Sequence, residues 1–162
     1  MVLTVEASPR PSARPVVRAR RRGATPPPPV TIAASSMPAT ERAVPAMRRF
    51  ARHTALRWSV PRPTVDALEL VVTELVANAV LHSGSPDVTV LITYRGGELT
   101  VEVKDSGRWR VRQEPRRVPE DAGAACGRGL DLVAHATSGW LAFLSVTGTR
   151  VVATLSVPAT RA

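Results

Sequence analysis

Two stretches of alternating apolar residues, separated by Arg95, Gly96 and Gly97, constrain this chain more than any other feature. Val88, Val90, Ile92 and Tyr94 alternate through 87–94, and Leu99, Val101 and Val103 through 98–104. A period of two sends every second side chain to one face, and a two-glycine break between such runs predicts a hairpin. A sheet with one apolar face needs a layer to cover it. The segment just before the hairpin supplies one, because Val65, Leu68, Val72, Leu75, Val76 and Ala79 form a single stripe at about 100° per residue.

The remaining elements follow the same logic. Residues 30–34 read as a short edge strand. A first helix is expected from Pro45, a residue suited to the first helical turn, with Met47, Phe50, Ala51, Thr54, Ala55 and Trp58 at helical spacing. Pro61 and Pro63 break the chain. The second helix should run from 63 or 64 to about 83, where Gly84, Ser85 and Pro86 end it. After the hairpin, 105–126 lacks periodicity and reads as a long loop, a length that is uncommon in compact domains unless functional or disordered. Leu130, Val133 and Ala134 predict a short helix after Gly129. A second hairpin closes the chain, with strands at 140–146 and 149–157 around Thr147 and Gly148. The expected class is α+β, a two-layer sandwich with helices on one face of a mostly antiparallel sheet.

Composition narrows the function. The chain has 162 residues and 44% hydrophobic content, enough for one core. No apolar run approaches the roughly 18–20 residues of a membrane span. Residues 1–29 are rich in Pro, Arg, Ser and Ala and read as a disordered tail ending in four prolines. They hold no apolar stretch of the secretory kind. The expected domain spans 30–158, with 159–162 a short tail, and the expected compartment is the cytoplasm. The net charge of +9 is uneven, since Arg10, Arg14, Arg18, Arg20, Arg21 and Arg22 stand against Glu6 alone in the first 34 residues. A basic tail can meet nucleic acid, but no aromatic residue interleaves these arginines to stack on bases, so nucleic acid is not an expected partner. A single cysteine, Cys126, excludes an internal disulfide framework and a cysteine metal cluster.

The second helix places polar groups where apolar ones are expected. Glu74, Asn78 and His82 step at i, i+4 and i+8 among Ala67, Leu70, Val71 and Leu81, and only an arc around Asp66, Glu69 and Thr73 reads as fully solvated. An unpaired buried polar group costs about 1–3 kcal/mol and a charge more. Such groups make sense lining a cavity for a polar ligand or a cation, and residues four apart can touch one ligand together. The alternative is a solvated helix face capped by a partner element. His82 reads as a helix-end residue favoured by the dipole.

Three glycine motifs stand later in the chain. Asp105, Ser106 and Gly107 follow a strand directly: the carboxylate can accept a hydrogen bond from a ligand amine, and the glycine admits a ligand to the backbone. Gly127, Arg128, Gly129 and Leu130 open the third helix, where free backbone N–H groups and the dipole favour phosphate. Gly148 and Thr149 begin the last strand. Each motif alone is common in structural turns.

Together and in this order, these pieces resemble the GHKL ATPase superfamily, which includes gyrase, the large heat-shock chaperone and histidine kinases. The run from Glu74 through Asn78 and His82 to Ser83 looks especially like the stand-alone anti-sigma-factor serine/threonine kinases of actinobacterial type. The resemblance implies the Bergerat ATP-binding fold, with ATP and Mg²⁺ as cofactors. It implies that Asn78 helps coordinate Mg²⁺ and that Asp105 recognises the adenine amino group, with Thr149 nearby. Gly107 would admit adenine, while Gly127, Gly129 and Leu130 would lie along the phosphates and Arg128 would offset their charge. Glu74 would be the general base acting on a serine hydroxyl or water. The chain departs from the pattern at Trp109, where a further glycine is usual. The intervening loop carries Arg108, Arg110, Arg112, Arg116 and Arg117, diluted by Glu114, Glu120 and Asp121; these either attract phosphate or keep the loop solvated.

The implied function is an ATP-dependent regulator that transfers the γ-phosphate to a small STAS-type antagonist protein and binds a sigma factor, with a homodimer as the implied assembly. The alternative is a non-catalytic ATP-binding interaction module. A third reading, a nucleic-acid binder using the arginine tail, predicts steeply salt-dependent binding. A full histidine kinase is not expected, because 1–62 has no room for a dimerisation helix bearing an acceptor histidine, and His53 reads as a surface residue.

Overall fold

The computed structural model describes residues 28–107 and 129–158. Most of the expected N-terminal tail, the arginine-bearing loop with Trp109, Cys126, Gly127 and Arg128, and residues 159–162 lie outside the described residues.

The central hairpin forms as its pattern requires: β2 spans Asp87–Arg95 and β3 spans Glu98–Asp105. Gly96 and Gly97 both take positive φ, 59° and 83°, as a turn that matches the twist of the two strands demands. The edge strand β1, Val30–Pro38, is nine residues long rather than the five expected. It pairs with β2 along its whole length. Its inward positions include Ala33 and Ser35, small residues that carry little hydropathic alternation, which is why only its start was legible. At the other side β5, Gly148–Ser156, pairs with β3, and β4, Gly139–Ser145, pairs with β5. The sheet order is β1-β2-β3-β5-β4, with every neighbouring pair antiparallel.

Among the described residues, three helices complete the second layer. The first, α1 (Ala43–Arg57), starts two residues before Pro45, which therefore sits in the first turn, where its missing N–H costs nothing. It ends in a tight cap: the Val60 N–H donates to the Ala55 carbonyl and the Ser59 N–H to that of Leu56, with Ser59 at φ 56°. The second, α2, is Arg62–His82, and the third, α3, is Gly129–Ala136. The stripe expected on α2 is buried at every position, against Val88, Val90, Ile92, Leu99, Val101, Val103, Val151, Ala153 and Leu155 from the sheet and Ala43, Met47, Ala51 and Ala55 from α1. His53 is exposed on α1.

One reading of the α2 surface changes. Val71, expected beside Glu74 and Asn78 outside the core stripe, is fully buried, and Glu69, expected in solvent, is half-buried. The cause is that α2 packs between two helices rather than lying alone on the sheet. Arg52 of α1 reaches Glu69 with Nη1 3.1 Å from Oε1, and the Thr73 hydroxyl donates to the Glu69 carbonyl at 2.7 Å. Only Asp66 of that arc is exposed.

Candidate functional site

Glu74 and Asn78 stand one helical turn apart on α2, each half-buried. The flank of α2 that carries them faces the start of α3. At Gly129, the first residue of α3, an added Cβ would lie 2.6 Å from Glu74 Oε2 and 3.9 Å from Asn78 Nδ2. The acid and the amide therefore meet the same helix N-terminus, whose first N–H groups have no partner within the helix and carry its positive dipole end. A side chain at 129 would meet the tip of the Glu74 carboxylate and push it aside. Leu130 follows, half-buried and packed against the core. His82 is the last residue of α2, as its helix-end reading expects.

A second cluster forms where β3 and β5 run out. Asp105 ends β3 and stands opposite Thr149 in the β3–β5 register. Both continue apolar columns, Leu99, Val101 and Val103 on one strand and Val151, Ala153 and Leu155 on the other. By the period of two, their side chains point to the helix layer. Asp105 is half-buried, and Thr149 is buried. Gly148 holds φ 143°, and a Cβ there would collide with the Asp105 carbonyl and lie 2.9 Å from Ser106 Cα. Gly107 is pressed just as closely elsewhere: a Cβ would collide with the Ser83 carbonyl oxygen and lie 2.7 Å from the Ser85 nitrogen. The Gly107 N–H donates to Asp105 Oδ1 at 3.0 Å and closes the turn on itself.

Sequence reasoning missed the serines that hold this turn. Ser83 and Ser85 are buried, and Ser85 bonds directly to Ser106. The signal available was a Ser-Gly-Ser-Pro run, which reads only as a helix stop.

The two clusters share one ruler. Ser83, against which Gly107 packs, lies five residues beyond Asn78, about 7.5 Å along the helix at a rise of about 1.5 Å per residue. One face of the arrangement offers an acid, an amide and a helix N-terminus; the other offers a carboxylate, a hydroxyl and close-approach glycines. The acid and the amide offer oxygen donors of the kind a magnesium ion takes alongside substrate phosphates. Among the described residues no group of three His, Cys, Asp or Glu could hold a metal, and Mg²⁺ bound with substrate phosphates needs only one or two protein oxygens. Among the described residues no helix is long and apolar enough to cross a membrane.

The model of the histidine kinase-like ATPase domain matches residues 37–154. No curated protein matches the chain. Among solved structures, the chain is similar to the crystal structure of the RsbU and RsbW domains of Rv1364c from Mycobacterium tuberculosis, with a TM-score of 0.63 at 19% identity. The similarity covers 78% of this chain and 32% of that one, so this chain spans about a third of its neighbour. At that identity the likeness speaks for the fold.

Proposed function

Since the chain belongs to the family of histidine kinase-like ATPase domains, we propose that it is an ATP-dependent regulatory kinase of the anti-sigma-factor type, which transfers the γ-phosphate to a serine or threonine of a small antagonist protein. The supporting observation is the placement of Glu74 and Asn78 together against Gly129 at the start of α3. Phosphate belongs at that helix start, where backbone N–H groups and the dipole favour an anion.

In this reading each residue does one thing. Asn78 offers its amide oxygen to a magnesium ion, which when bound neutralises charge on the phosphate oxygens. Gly129 and Leu130 bring backbone close to the phosphates, a role proposed for Gly127 as well, and Arg128 would offset phosphate charge. Asp105 accepts a hydrogen bond from the adenine amino group, with Thr149 opposite it; the space expected beside Gly107 for the base is taken by the Ser83 carbonyl, so Gly107 serves the turn instead. Glu74 takes the proton from the attacking hydroxyl. In phosphoryl transfer, positioning and electrostatics carry most of the rate, and a general base contributes about 10²–10⁴-fold. The partners proposed are a sigma factor and a STAS-type antagonist, the assembly a homodimer, and the compartment the cytoplasm.

The test is incubation of the chain with labelled ATP, Mg²⁺ and candidate antagonist proteins. Glu74→Gln is expected to cut transfer about 10²–10⁴-fold while ATP affinity stays near wild type. Asn78→Ala is expected to remove the Mg²⁺ dependence of ATP binding. Transfer that survives Glu74→Gln unchanged would end the kinase assignment. Tight ATP binding with no transfer to any antagonist would point instead to a nucleotide-gated interaction module.

A further inference from the structure

The connection between α2 and β2 ties the base-side turn to the helix that carries Glu74 and Asn78, and Ser85 is the knot. Ser85 is 8% exposed. A serine hydroxyl has one proton and two lone pairs, and here all three are used. Ser85 Oγ donates to the Asp87 carbonyl at 2.6 Å and accepts from the Ser106 N–H at 2.9 Å. It also lies 3.1 Å from Ser106 Oγ. Because the carbonyl takes the Ser85 proton, Ser106 is the donor in that last bond. The Asp87 N–H approaches the same oxygen at a longer 3.4 Å.

Ser85 is itself anchored from behind. Its N–H donates to Ser83 Oγ at 3.1 Å, and the Ser83 hydroxyl donates to the Ala79 carbonyl in the last turn of α2 at 2.6 Å. A continuous line of hydrogen bonds thus runs from α2 through Ser83 and Ser85 to Ser106, the residue next to Asp105. We propose that Ser85 is a positioning residue for the nucleotide base: by pinning Ser106 to the end of α2, it holds the Asp105 carboxylate at a set distance from Asn78. This rests on the reading of Asp105 as the base-recognising group. The physical gain is preorganisation. A ligand gripped at both ends binds well only if its two grips are already spaced, and a carboxylate on a loose strand end must be ordered at the moment of binding.

The experiment measures calorimetric affinities of the full chain for Mg-ATP and Mg-GTP. GTP carries a carbonyl where ATP carries the amino group, so a placed carboxylate selects ATP. Ser85→Ala is expected to weaken ATP about five- to tenfold, the net worth of the two bonds to Ser106 that hold the turn, with GTP unchanged and the ATP preference reduced accordingly. Ser106→Ala, at an exposed position where folding is not at risk, keeps the backbone bond and is expected to lose about twofold in the same direction. A lower melting temperature with wild-type ATP preference in both variants would make the serines merely structural and overturn the proposal, as would wild-type affinities in both. If Asp105→Ala leaves the preference for ATP intact, or the wild type shows none, the base-recognition reading fails and the proposal with it. If Asp105→Ala abolishes the preference while both serine variants keep it, only the role of Ser85 is lost.

Discussion

At the Asp105 end of the site, glycine backbone meets backbone; at the Glu74 end, it meets the tip of a side chain. Gly148 and Gly107 are closed in by the Asp105 and Ser83 carbonyls, parts of a strand end and a helix end that cannot move without unravelling the turn. Gly129 is closed in by a carboxylate oxygen at the end of a flexible side chain. One end is braced by Ser85 and by the Gly107–Asp105 bond. The other depends on a steric fit between two helices. The Asp105 end is built as a rigid frame, whereas the Glu74 end leaves its acid room to adjust, as the proposed role in taking a proton would require.

Substitution of the glycines breaks or sharpens this contrast. The largest loss of stability is expected for Gly148→Ala, where a positive φ and a backbone collision combine; about 2–4 kcal/mol is the expected cost, read from urea unfolding, with ATP binding falling in parallel. Gly107→Ala meets backbone without the unfavourable φ and is expected to cost somewhat less, again with loss of ATP affinity. A wild-type melting curve for either variant would show that the Asp105 end yields after all. Gly129→Ala is expected to behave differently. Alanine is the better helix former by up to about 1 kcal/mol, so stability should change by less than that, while displacement of Glu74 cuts phosphotransfer. A misplacement of about 1 Å can cost about 10²-fold. Equal losses of stability and transfer in this variant would erase the distinction between the two ends. The smallest effect is expected for Arg52→Ala on the opposite flank of α2. Its ion pair with Glu69 is partly exposed and worth about 0–1 kcal/mol, and ATP affinity should be unaffected.

The legible and illegible parts of the molecule divide on physical lines. Wherever an element buries one face with large side chains, its period declared it. The hairpin of β2 and β3 and the stripe of α2 are the clear cases, and the boundaries moved by only a residue or two. Where burial is achieved by small residues, as at Ala33 and Ser35 of β1, the period fades and the strand was underestimated. The site divides the same way. Glu74 and Asn78 could be suspected because polar groups interrupt an apolar helix, and Asp105, Gly107, Gly129 and Thr149 because they flank predicted elements. Ser85 could not, because a serine after a helix is ordinary and only its neighbours make it matter.

What the chain's own order of residues determined is local: which faces are apolar, where turns must fall, and which residues bear chemistry at each end of each element. What only the tertiary structure decided is which of these come together. The meeting of Glu74 with Gly129, of Asp105 with Thr149, and of Ser85 with Ser106 joins residues far apart in the chain through packing of α2 between α1 and α3 and through the β3–β5 register. Periodicity reports the direction of a side chain relative to its own helix or strand. The partner it meets depends on how whole layers dock to bury their apolar faces, a choice made by the sum of many contacts and by no single one.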